Sequence, residues 1–433
     1  MVQLQTGSQS RTPKSHPIFG VHFSEEKIRA IAHCAFPESE LLAYEQLPRG
    51  QSFNNRIYFL RLRHAPSLGA AKSGSVAEEE EFVLKVNGRY FGADKIQNEV
   101  GCVWLLERHC PQVPSPRVFA WSEDGENIFS LSRDRESCQM TSPPLSEDSA
   151  DAKAGWILMS RVKGQPLSTL DLDEEEWASI GAQVADFVHD WRQGIPVQAR
   201  CGCVYFTKDP DGEANLGASP DQDRPVPGLS GIVGDGLQFT KPVTSALDFQ
   251  TVKIHDKINQ LKTSDTYLRN RPLVTPLHNF VTNVLLRLKL ITNPTANGND
   301  GFVFTHYDLS PRNILVSKVG SSHQITGLID FEFSGFFPAL EEFVNDYVDN
   351  GGDWPKVAYN AYLRRLGELG IPTPENGIET EVWEQAHELG HVLENIAPWW
   401  LPGELDDKEL EEALETARKK VAEGIKKLED TVM

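Results

Sequence analysis

Cysteine is scarce in this chain. Six Cys in 433 residues are too few and too scattered for a disulfide scaffold. Cys201 and Cys203 form the one close pair, and no second pair completes a zinc site. Reduced thiols and a cytoplasmic location are the expectation. Basic charge is also short: 42 Lys and Arg face 62 Asp and Glu, a formal net charge of −20. General nucleic-acid binding needs a basic footprint, so no nucleic-acid partner is expected, while a cationic small substrate is compatible. Long apolar runs are missing too. No stretch reaches the roughly 18 apolar residues of a membrane span, and the opening MVQLQTGSQSRTPKSHP lacks the apolar core of a secretory leader. What remains is 39% hydrophobic and 24% charged residues, the composition of a globular protein with a sizeable core.

The first part of the chain alternates short apolar runs with turns. SEEKIRAIAHCAF (24–36) reads as a helix with Ser24 as N-cap. LLAYEQL, RIYFLRLR and EFVLKV read as strands, and so do RVFAWS and WILMSRV. Ile96, Val100, Val103, Trp104 and Leu106 line one side of a helix over 94–109, which Pro111, Pro114 and Pro116 end. That makes five strands with one helix between the third and fourth. Residues 123–154 are polar and read as a flexible insertion. After Val162 the spacing turns helical, as in WASIGAQVADFVHDWRQ (177–193). Residues 200–247, rich in Gly, Pro and Asp, read as a long irregular insertion. Helical segments follow at 252–262 and 275–291, then a hairpin, NILVS and ITGLIDF. The final DDKELEEALETARKKVAEGIKKLED reads as an amphipathic surface helix.

The densest chemistry lies in THYDLSPRNILVS (305–317). Asp308 and Asn313 are five residues apart, and Asp330 follows seventeen later in GLIDF. An amide on a loop and a carboxylate at a strand end make an oxygen set for Mg²⁺. Asp308 is then left to orient or deprotonate a hydroxyl. Positioning and charge neutralisation of this kind do most of the work of phosphoryl transfer.

The order His306-Tyr-Asp308-Leu-Ser-Pro-Arg-Asn313, then Asp330-Phe331-Glu332, matches the kinase pattern H-x-D-L-x-x-x-N followed by D-F-x. Glu332 stands where protein kinases carry Gly. In that departure the chain resembles the aminoglycoside phosphotransferase and choline kinase group of small-molecule kinases, and within it the large fungal branch. The resemblance covers about residues 40–400.

It implies an α+β, two-lobed protein-kinase-like fold: a small antiparallel-sheet lobe and a larger, mainly helical lobe. Residues 1–19 would be disordered, 20–160 would form the nucleotide-binding lobe with its insertion at 123–154, and 161–433 the catalytic lobe with its insertion at 200–247. ATP with Mg²⁺ would occupy the cleft, and the product would be a phosphorylated small molecule. Asp308 would be the catalytic carboxylate, and Asn313 and Asp330 the metal ligands. Lys85 in FVLK would hold the phosphates, with Glu99 positioning it. The loop RGQSFNNRIYFL would meet phosphate through Gly50, Ser52, Asn54 and Asn55. Met159 would flank the adenine, the backbone of Ser160 and Val162 would bond its edge, and Ile57, Val83, Leu315 and Ile329 would sandwich it. His306 reads as a structural brace, Tyr307 as packing, and Arg312 as a solvent-facing or locally ion-paired side chain. Glu332, Glu341, Glu342 and Asp346 read either as a bias toward a cationic acceptor or as a solvated acidic face.

A second motif competes. HELGH (387–391) matches the zinc-protease pattern H-E-x-x-H, with Glu388 as the general base, but the sequence continues VLENIAPWW without the metzincin extension. The ordinary alternative is a helix of the second lobe, with His387, His391, Trp399 and Trp400 near the acceptor. Three functions thus stand: the small-molecule kinase, a catalytically idle relative that serves as a nucleotide-binding or interaction module, and a zinc hydrolase. A peptide acceptor is disfavoured, because no A-P-E segment follows Asp330.

Overall fold

The structure is a computed structural model. It describes residues 16–48, 50–64, 79–131, 138–140, 153–205, 207–208, 214–215, 228–293, 301–344, 353–398 and 407–433. Arg49, Asp346, Trp399 and Trp400 lie outside the described residues. The chain forms two compact units, one of Met1–Ile96 with Val118–Arg161, the other of Gln97–Arg117 with Val162–Met433.

The first unit is built on a seven-stranded sheet. Its strands are β1 (Ser39–Gln46), β2 (Asn55–His64), β3 (Glu79–Asn87), β4 (Val118–Ser122), β5 (Phe129–Leu131), β6 (Cys138–Met140) and β7 (Trp156–Ser160). They lie in the order β1-β2-β3-β7-β4-β5-β6, every neighbour antiparallel. Strict alternation decides the faces. Tyr58, Leu60, Leu62, Phe82, Leu84, Val86, Trp156 and Leu158 point into one core, closed by helix α1 (Glu25–Ala35) through Ile28 and Ile31. Ser24 caps that helix, accepting from Lys27 N at 3.3 Å. Two expectations change here. The stretch 123–154, read as a flexible insertion, supplies β5 and β6. Of the stretch 1–19, read as disordered, Ile18 is buried and its carbonyl accepts from Arg56 at 3.2 Å.

Helix α2 (Ala93–His109) gives most of its length to the second unit rather than to the sheet-bearing one. That unit continues with α3 (Glu174–Gly194), α4 (Ala246–Thr263), α5 (Val274–Asn283), α6 (Lys356–Glu368), α7 (Thr380–Ile396) and α8 (Asp407–Asp430). Asp173 and Glu176 cap α3 reciprocally. The closing helix is more than a surface element: Leu414, Ala417, Val421, Ile425 and Leu428 are buried, and all but Ala417 join the core that Leu389, Val392 and Leu393 of α7 help to build. The stretch 200–247 is less irregular than expected. Cys203–Tyr205 pairs with Gly228–Ser230, and Gly202 bridges to Phe336. No helix among the described residues is long and apolar enough to cross a membrane.

Candidate functional site

Two short strands, Val303–Thr305 and Gly335–Phe337, pair antiparallel. All of the kinase-like pattern lies on the excursion between them, so both of its ends are clamped together. His306 starts the excursion and is fully buried. Its Nδ1 accepts from Asp308 N at 3.3 Å, and its Nε2 lies 3.1 Å from the Ile329 carbonyl. Those partners assign the proton to Nε2. Ser334 Oγ donates to the His306 carbonyl at 2.9 Å. His306 thus ties the start of the loop to its far end.

Asp308 is buried and heavily engaged. Its Oδ1 accepts from Arg312 at 2.6 Å and its Oδ2 from Asn313 Nδ2 at 3.1 Å. Asn313 Nδ2 also donates to the Asp308 carbonyl at 2.9 Å, so a bond from Asn313 to a cation falls to its Oδ1. Arg312 bridges to a second acid, Asp353, at 2.9 Å, and Trp354 Nε1 donates to the Leu309 carbonyl at 2.9 Å. The short ion pair with Arg312 favours an ionised Asp308. Burial outweighs it, and Asp330 and Glu332 push the same way, so the carboxyl is pushed up to about 7. Asp308 can therefore take up and release a proton near neutrality.

Asp330 begins the turn after the hairpin strands Ile314–Val319 and Ser322–Leu328, with φ +69. Asp tolerates that left-handed conformation better than most residues. One carboxylate oxygen each from Asp330, Glu332 and Glu99 lie within 4.8 Å of one another. Glu99 reaches this place because the residue before it is stapled down. Asn98 Nδ2 donates to the carbonyls of Glu332 and Ser334 at 3.0 and 2.8 Å, and its Oδ1 accepts from Val204 N at 2.6 Å. An all-oxygen, carboxylate-rich set suits a hard divalent cation such as Mg²⁺. By chemistry, then, Asp330 with Glu332 and Glu99 fits a hard divalent cation.

The other acids after the loop need correcting. Glu341 and Glu342 are buried and paired, with Lys253 and Arg192 respectively, each at 3.2 Å. They form neither a solvated acidic face nor an open lure for a cation. Glu332 is buried as well.

Ile57, Val83, Lys85 and Met159, expected to meet the nucleotide, share one face of the sheet, opposite its core. Ile57 stands across from Lys85, and Val83 across from both Phe59 and Met159. Gly50 has φ +86, a conformation only glycine adopts at little cost. Ser52 is partly exposed, and the Asn54 carbonyl accepts from Gly88 N at 2.9 Å. Asn55, expected to meet phosphate, gives its side-chain oxygen to Lys95 at 2.7 Å. Ser160 pairs with Phe82 in the sheet. In the second unit, Val162 and Leu315 pack on Gly327, and Ile329 N donates to the Asn313 carbonyl at 3.0 Å.

HELGH does not form a comparable centre. It lies on α7 with His387 and His391 both exposed, their rings 4.4 Å apart and edge-on. Glu388 is held by Lys427 at 3.2 Å. Among the described residues, the one group of three His, Cys or acidic side chains close enough to share an ion is Glu99, Asp330 and Glu332.

Residues 242–379 match the family model described as the phosphotransferase enzyme family. The resemblance is to phosphotransferases. The matched stretch contains Asp308, Arg312, Asn313, Asp330 and Glu332 but is under half of the chain. Among solved structures, an ADP-bound aminoglycoside phosphotransferase, APH(2'')-Ib, aligns over 93% of this chain and 99% of its own, at 12% identity and a TM-score of 0.50. A GDP and kanamycin complex of a second aminoglycoside phosphotransferase aligns over 93% and 96%, at 15% identity and a TM-score of 0.45. At such identities the first likeness shows the fold: α+β and protein-kinase-like. None of the curated proteins matches the chain.

Arg312 bridging two acids, Glu332 in the carboxylate group and Asn98 as a staple are site features that spacing alone did not disclose. The partners that escaped are distant in sequence: Asp353 lies 41 positions from Arg312, and Glu332 lies 234 from Asn98.

Proposed function

We propose that the protein transfers the γ-phosphate of ATP, with Mg²⁺, to a hydroxyl of a small molecule. The observation that carries this reading is Asp308: a buried carboxylate fixed by Arg312 and Asn313 and flanked by acids suited to a cation. The acceptor oxygen would attack phosphorus as its proton passes to Asp308. The new O–P bond forms, the bond from the γ-phosphorus to the bridging oxygen breaks, and ADP leaves. Asn313 and Arg312 hold the carboxylate in one orientation, which a general base needs in order to act within hydrogen-bond reach. Asp330, with Glu332, Glu99 and Asn313 Oδ1, would hold Mg²⁺; when bound, the ion neutralises charge on the phosphate oxygens. Lys85 and the loop through Gly50, Ser52 and Asn54 are proposed to meet the phosphates of the nucleotide. Ile57, Val83, Met159, Ser160, Val162, Leu315 and Ile329 are proposed to meet its base.

Thermal unfolding with Mg-ATP, with ATP in EDTA, and with Zn²⁺ tests the reading. A site filled at about 100 times its dissociation constant adds roughly 2.7 kcal/mol. The expected result is a shift with Mg-ATP that shrinks in EDTA, followed by ADP release on screening small alcohols. No shift with any nucleotide, or a shift with Zn²⁺ alone, would overturn it.

A further inference from the structure

A buried polar cluster beside Asp308 has no part in the chemistry above. Tyr307, immediately before Asp308, has φ +66. Bulky side chains rarely adopt that conformation, and it persists only when the surroundings over-determine it. Here they do. The Tyr307 ring lies against Phe337, centroids 4.4 Å apart. Its hydroxyl donates to Glu341 Oε2 and accepts from Lys253 Nζ, both at 3.3 Å. Lys253 donates to the same Glu341 oxygen at 3.2 Å, and Gln250 Nε2 donates to the other at 3.2 Å. All four side chains are buried. Lys253 and Gln250 lie three apart on α4 and so share a face of it.

We propose that Lys253 and Glu341 are positioning residues: by gripping the Tyr307 hydroxyl they hold residue 307 in its left-handed conformation and thereby aim the Asp308 carboxylate. The proposal rests on the phosphotransferase reading for its consequence, the rate. Its geometric content stands apart. A buried Lys–Glu pair adds little net stability, because desolvation offsets its attraction. A pair whose two members both bond one hydroxyl next to the catalytic carboxylate does have a geometric effect. Backbone rotation at 307 passes directly to 308, and misplacement of a reacting group by about 1 Å can cost 100-fold in rate.

The test replaces the pair by apolar side chains of similar size, Lys253→Met with Glu341→Leu, which avoids stranding one buried charge. The rate read is ADP release with water as acceptor, beside ATP affinity by titration. The expected result is a fall in turnover on the order of 10- to 100-fold with ATP affinity nearly unchanged. Tyr307→Phe, the milder variant, should show a smaller loss of the same kind. The deciding arm adds Tyr307→Gly to the paired replacement. Glycine adopts positive φ without an anchor, so turnover should recover. Unchanged turnover in the pair, or a loss that glycine does not restore, would overturn the proposal. A crystal structure of the paired variant reads the backbone without any activity. Tyr307 should leave the left-handed region and the Asp308–Asn313 bond should break; an unmoved Tyr307 would overturn the proposal. Wild-type ADP release that survives Asp308→Asn would overturn the phosphotransferase reading instead.

Discussion

The segments 306–313 and 387–391 each pack two or more catalytic-type side chains into a few residues, yet they end in opposite environments. In the first, His306 is wholly buried, Asp308 and Asn313 nearly so, and each is bonded to another part of the loop. In the second, His387 and His391 are exposed on a regular helix, and Glu388 is occupied by a lysine from the neighbouring helix. Burial separates the two in energy. A buried carboxylate must be paid for with partners, and the fold supplies them to Asp308. An exposed helical histidine has no such cost, and a chance match of spacing persists unnoticed.

The contrast can be broken experimentally. Asp308→Asn should cause the largest change, lowering turnover on the order of 1000-fold while leaving ATP affinity within about twofold; steady-state rates with nucleotide titration check it. Asp330→Ala should come next. Loss of the Mg-ATP thermal shift, worth roughly 2.7 kcal/mol at the same saturation, is the expected result, and a retained shift would remove Asp330 from the ligand set. Arg312→Gln should move a profile rather than abolish a rate. Asp308 must be ionised to accept a proton, so kcat/KM of the free enzyme should rise through about pH 7. The guanidinium lowers that midpoint, so its removal should move the rise to higher pH, and an unmoved midpoint would count against the ion pair. Stability runs the other way. A carboxyl held above its unfolded value favours folding below that value, and the contribution is lost as pH climbs through about 7. Last and smallest, His387→Ala with His391→Ala should stay within about 0.5 kcal/mol of the parent in stability, with turnover unchanged.

Much of this was readable in the chain because it is local. The spacing from His306 to Asn313 and on to Asp330 spans a few dozen residues, and the alternation in RIYFLRLR and EFVLKV reports its own burial. What escaped depends on distant partners. Glu341 finds Lys253 across 88 positions, and Glu342 finds Arg192 across 150, so two acids that look solvated are internal. Arg312 bridges to Asp353 across 41 positions. The strands β5 and β6 are three residues each, too short for a periodic pattern, and they exist because β4 offers β5 an edge.

The pairing of Val303–Thr305 with Gly335–Phe337 has a dynamic consequence. A segment fastened at both ends cannot fray from either, so its buried amides exchange with solvent only when the fastening opens. Deuterium uptake at the bonded amides of Asp308, Asn313 and Ile329 should then follow one common opening rate. Disorder at Asp308 and disorder at the turn of Asp330 become a single event.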